Sequence, residues 1–193
     1  MSILIFSRKA ELRVSQAAPS LIDRVVPASF LWLPLLAIAG HLFEEFVWPG
    51  GFAPWYRAYP PGYSATVSVR FLLAVNAVFI GLAFLPPLLG KTPRGFAYWA
   101  VVMAIAAANA LFHLRATIRT GRYSPGLITG IGLYLPLATV GITMLLRLKL
   151  VGFASVIQAV IIAGAYSAWS TWRHGRHTVV RDAHQTAPKA PQT

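Results

Sequence analysis

His41, Glu44 and Glu45 stand together in "HLFEE", in a chain that owns only five acidic side chains. At about 100° per helical residue, Glu44 and Glu45 fall roughly 60° and 40° to either side of His41, so one sector of a helix carries all three. His113 supplies a second imidazole, with Asn109 four residues before it on the same helical face. An imidazole and a carboxylate four residues apart, joined by an imidazole from another helix, make up the His₂Glu set that catalytic zinc uses. His41, Glu45 and His113 are therefore the candidate metal ligands. Zinc is the preferred ion, and manganese and iron also suit two histidines with carboxylates. Glu44 is left over as a candidate general base toward water on the ion. Tyr123 has two readings of equal weight: a hydrogen-bond donor to a developing oxyanion, or a structural cap within "YSPG".

Each of these residues also has a plainer reading. Two glutamates close to Trp48 are explained equally simply as groups solvated at a membrane surface. Against that, carboxylates at the C-terminal end of a helix meet the negative end of its dipole, a penalty that a nearby cation would reverse. A lone histidine such as His113 serves packing as often as ligation. Asn76 is read first as a bridge between helices, and Arg70 and Arg115 as side chains that snorkel to headgroups.

The elements that must position these residues follow from composition. With 56% hydrophobic and 11% charged residues, the chain reads as an all-α, polytopic membrane helix bundle. About five stretches, 28–47, 66–89, 96–118, 126–146 and 151–172, approach or exceed the roughly 20 residues that cross about 30 Å of hydrocarbon. The bundle then occupies residues 28–172, after an interfacial or disordered leader of 1–27 and before a disordered basic tail of 173–193. The short "RLKL" between the last two stretches predicts an antiparallel hairpin. Spans one and three run in the same direction, which brings His41, Glu44, Glu45, Asn109 and His113 to one end of the bundle. The entry of span two with Asn76 and the loop with Tyr123 arrive at that end as well. The small residues of "AIAAANA" and of Gly126 and Gly130 let backbones approach, which makes span three central. Pro34 and Pro136 mark kinks or packing features.

The formal net charge is +12. The basic residues sit mainly at the ends of spans, which points to anionic lipid headgroups as partners and argues against nucleic acid. They are shared nearly evenly between the two ends of the spans, so the positive-inside rule assigns no orientation. The absence of cysteine excludes disulfides and thiolate metal sites.

"HLFEE" at 41–45, a further histidine at His113 and "YSPG" at 123–126, in that order on apolar spans, resemble the HXXEE-motif family. That family consists of bacterial integral membrane proteins of unknown function, marked by an HxxEE motif, a second histidine and a YxPG motif. The resemblance covers about residues 30–150. It implies that His41, Glu44, Glu45, His113, Tyr123, Pro125 and Gly126 belong together, and that the chain is multi-pass in a bacterial inner membrane; it brings no activity. The HxxEE spacing also looks loosely like the H-x-x-E-H arrangement of inverzincin metallopeptidases, with Glu45 in place of the last histidine. The expected function is a metal-dependent hydrolase acting on a hydrophobic or lipid-like substrate that enters from the bilayer, with Asn109 and Asn76 as supporting residues. The alternatives are a transporter or proton relay built on the same cluster, and a non-catalytic metal or pH sensor.

Overall fold

Prolines, glycines and one hydroxyl cap divide the apolar sequence into helices. In the computed structural model the described residues are 25–58 and 69–185, and they contain helices and no strand. The chain divides into two units, Met1–Phe30 and Leu31–Thr193. Of the first, residues 25–30 are described: the Phe30 N–H donates to the Pro27 carbonyl as the backbone enters a 3₁₀ turn at Ala28–Trp32. The expected leader lies otherwise outside the described residues.

The second unit starts with α1, Leu33–Phe46. Pro34 sits in its first turn, where the missing N–H has no partner to lose, so no kink separates Pro34 from His41. A short helix α2, Phe52–Ala58, follows. The second span is divided into α3, Val69–Ala83, and α4, Leu85–Leu89, and the sequence "PP" at 86–87 accounts for the interruption.

The long helix α5, Pro93–Thr120, has clear signals at both ends. The Thr92 hydroxyl accepts from the Gly95 N–H at 3.0 Å, Pro93 occupies the first turn, and Gly121 ends the helix at φ 62°. Its 28 residues span about 42 Å. Ala100, Ala104, Ala106, Ala110 and Ala116 are buried along it, as expected for a central helix approached closely by its neighbours. A Cβ at Gly141 would overlap the Trp99 ring, so glycine there is what admits the fully buried indole.

The next span opens with α6, Leu127–Thr129, widens into a π-helical turn at Gly130–Tyr134 and continues as α7, Leu135–Arg147. In the wide turn the Leu135 N–H bonds to the Gly130 carbonyl, five residues back. Pro136 explains the widening, because it has no N–H and its ring presses on the carbonyl four residues earlier. The expected bend at Pro136 therefore takes the form of a π turn. A Cβ at Gly130 would come 3.2 Å from Ala110, the close approach anticipated for the Gly126/Gly130 pair.

The last helix, α8, covers Phe153–Gln185 and packs mainly along α5 instead of forming a tight hairpin with α7. Its backbone continues into the stretch expected to be a disordered tail. No proline occurs between Gly152 and Pro188, so nothing covalent stops the helix earlier; residues 186–193 lie outside the described ones. Among the described residues, four helical segments are long and apolar enough to cross a membrane: Ala28–Phe46, Leu72–Leu89, Pro93–Thr120 and Leu127–Arg147. This points to a membrane protein. The expected fifth crossing falls in α8, where Phe153–Trp169 forms a shorter apolar helix among the described side chains.

Candidate metal centre

The last two turns of α1 carry His41, Glu44 and Glu45, and α5 carries Asn109 and His113. The connector after α5 and the first turns of the next span bring Tyr123, Ser124, Gly126, Thr129 and Tyr134 against them. Glu44 and Glu45 are each 4% exposed, His41 2% and His113 0%. The glutamates are therefore not solvated surface groups, which removes the plainest reading of the motif.

His41 Nε2 lies 3.3 Å from Glu45 Oε1, and His113 Nε2 lies 3.2 Å from the same oxygen. Asn109 Nδ2 donates to His41 Nε2 at 3.0 Å and approaches His113 Nε2 at 3.4 Å. One ligand atom from each of His41, Glu45 and His113 lies within 4.8 Å of the other two, and the group could hold a metal ion. Ligand atoms held tetrahedrally at about 2.0–2.1 Å stand roughly 3.3–3.4 Å apart, close to the two edges observed.

The outer nitrogens of both rings are held as well. His41 Nδ1 meets Thr129 Oγ1 at 2.8 Å, and His113 Nδ1 meets Ser124 Oγ at 2.9 Å. The Thr129 hydroxyl gives its single proton to Glu44 Oε2 at 2.5 Å, so toward His41 it acts as acceptor. This puts the proton of a neutral His41 on Nδ1 and leaves a lone pair on Nε2, facing a carboxylate oxygen. That lone pair accepts from Asn109 Nδ2 while Nε2 also touches Glu45 Oε1, a contact between two acceptors that a metal ion or a proton would complete. Hydroxyl partners of this kind orient ligand imidazoles in metal sites.

Glu44 has a different task. Its Oε1 accepts from the Tyr123 hydroxyl and from the N–H groups of Gly126 and Ile128, both at 3.0 Å. Its Oε2 accepts from the Thr129 N–H at 2.7 Å and from the Thr129 hydroxyl. A carboxylate on α1 thus caps the amino end of the neighbouring span, where orphan N–H groups and the helix dipole favour negative charge. Glu44 is not free to act as a general base, and Tyr123 is not free to meet an oxyanion, because each is bound to the other. Burial first, and then donation to Glu44, hold the Tyr123 phenol above the ordinary tyrosine value, so it remains a donor.

Gly126 is tied to the same spot. Its φ is 99°, and a Cβ there would come 2.7 Å from His41 Cε1 and 2.8 Å from His113 Cε1. Each position of "YSPG" therefore has a location: Tyr123 on Glu44, Ser124 on His113, Pro125 buried, and Gly126 against both imidazoles. Phe52 of α2 covers the outer side, with its ring centroid 5.6 Å from that of His113. Asn76 is half-buried on α3, and none of the cluster's hydrogen bonds among the described residues reaches it. Arg70 and Arg115 are exposed.

Sequence reasoning did not select Ser124, Thr129 or Tyr134. The available signal was a pair of hydroxyl residues in and just after "YSPG", at the depth where the imidazoles needed outer partners. A family model described as "Protein of unknown function with HXXEE motif" matches residues 32–141, more than half of the chain. No curated protein and no solved structure matches.

Proposed function

We propose, for a chain that belongs to the family of proteins of unknown function with the HXXEE motif, that the cluster is a divalent-metal centre within a membrane bundle. In this reading the protein is a hydrolase for a hydrophobic or lipid-like substrate. The observation that carries the proposal is the contact of Glu45 Oε1 with two imidazole Nε2 atoms at 3.3 and 3.2 Å, with the lone pair of a neutral His41 turned inward by Thr129. Zinc is the preferred ion for such a set, with manganese and iron as alternatives.

A bound ion would supply Lewis acidity and lower the pKa of its water to about 7. The chain supplies the rest. Thr129 and Ser124 hold the two rings by their outer nitrogens, which fixes the direction of their inner lone pairs. Glu44 locks α1 to the next span and thereby fixes the position of Thr129. Asn109, which now donates to His41 Nε2, can turn its amide to offer Oδ1 to a cation. Burial of the cluster, with Phe52 above His113, excludes bulk water and favours an apolar substrate over a polar one. The exposed apolar faces of the surrounding helices suit entry from a bilayer.

A proton relay is the second reading, favoured by the continuous polar chain from Tyr123 through Glu44, Thr129, His41, Glu45 and His113 to Ser124. One comparison separates the two. Zinc-loaded protein in mixed micelles is offered ester, amide and phosphoester lipids, and the same protein in liposomes is tested for proton flux. Cleavage of one lipid class that is lost in Glu45→Ala supports the hydrolase. Proton flux without cleavage supports the relay and contradicts the hydrolase.

A further inference from the structure

Tyr134 is 1% exposed, and its hydroxyl has no hydrogen-bond partner among the described residues. Its ring lies over His41, with centroids 4.5 Å apart and planes inclined by 31°. Burying a phenolic hydroxyl without a partner costs about 1–3 kcal/mol, whereas phenylalanine would supply the same ring with no such penalty. Stacking on the imidazole therefore accounts for the ring and leaves the hydroxyl unexplained. Tyr134 is the last residue of the π turn Gly130–Tyr134, so the widening that Pro136 accounts for also sets where this ring meets His41. Tyr123, for which oxyanion donation was one of two expected roles, is committed to Glu44.

We propose that Tyr134 donates its hydroxyl hydrogen bond to an oxygen of the ligand that binds beside His41, a carbonyl or phosphoryl oxygen of the hydrolysed group. The inference rests on the metal-centre reading above. The chemistry is restrictive: a buried phenol with no acceptor among the described residues calls for one, and a ligand beside His41 would bring it. A donor preorganised in a water-free site acts most strongly on an oxygen that gains negative charge. Ester, amide and phosphoester substrates all present such an oxygen, and hydrocarbon or amine ligands do not.

The test uses the full-length protein in detergent, loaded with cobalt(II) as a visible-spectrum reporter, with acetohydroxamate as the oxygen-bearing probe. Tyr134→Phe keeps the ring and removes only the oxygen. The expected result is unchanged cobalt stoichiometry, unchanged or slightly higher thermal stability, and hydroxamate affinity weaker by roughly ten- to a hundredfold. Equal hydroxamate affinity in Tyr134→Phe and wild type overturns the role of Tyr134 while leaving the metal centre intact. Loss of cobalt or a lower melting temperature in Tyr134→Phe also overturns it, since the hydroxyl would then serve the fold or the ion. Wild-type protein that takes up no cobalt contradicts the metal centre itself, and the assignment of Tyr134 falls with it.

Discussion

Glu44 and Glu45 are neighbours in sequence and equally buried, yet they meet opposite environments. Glu44 faces the amino end of the next span and accepts from two hydroxyls and three backbone N–H groups. Glu45 faces α5 and shares one oxygen between two imidazole nitrogens. The first carboxylate is satisfied by the fold alone. The second is arranged so that a cation would complete it. A buried carboxylate costs several kcal/mol unless compensated, and the two members of the motif meet that cost with different partners: fixed donors in one case and two imidazoles, which could hold a cation with it, in the other. The HxxEE spacing makes this possible, because adjacent helical residues point about 100° apart and can address two different neighbours.

Substitutions can break or sharpen this contrast. The largest effect is expected from Glu44→Ala, which removes the shared acceptor of five donors and should cost about 3–5 kcal/mol of unfolding free energy in detergent. Wild-type stability in that variant would remove the capping role. Gly126→Ala comes next: positive φ and the clash with both imidazoles should cost about 1–3 kcal/mol by denaturant titration and weaken metal binding as well. Thr129→Val tests the link between the two glutamates, with metal affinity expected to fall about ten- to a hundredfold and Thr129→Ser expected to restore it. Equal affinity in the valine and serine variants would show that the hydroxyl does not orient His41. The smallest effect is expected from Asn76→Leu, which should leave metal content unchanged and shift stability by no more than about 0.5 kcal/mol.

The sequence made the bundle legible because apolar length and small-residue spacing are one-dimensional signals. The expected bounds of 96–118 fell a few residues inside the ends of α5, where Thr92, Pro93 and Gly121 carry the start and stop signals that the apolar pattern alone does not show. The meeting of His41, Glu45 and His113 followed from parallel span direction and helical angle. The division of labour between the glutamates did not follow, since it depends on which neighbouring element each one faces, and helical angle alone places both beside His41. Glu44 looked like a free base, and Tyr123 stood open between oxyanion donor and structural cap, until their partners were located in space. Tyr134 stayed hidden for a related reason: the π turn changes the register of its span, so regular helical periodicity misplaces it.

Elemental analysis of purified wild-type protein beside Glu45→Ala and His113→Ala tests the central claim most directly. The account predicts about one divalent ion per chain in the wild type and none in either variant, with both variants still folded because the Glu44 clamp is intact. Wild-type protein without an ion after incubation with zinc, manganese or iron, or variants that retain a full equivalent, would contradict it.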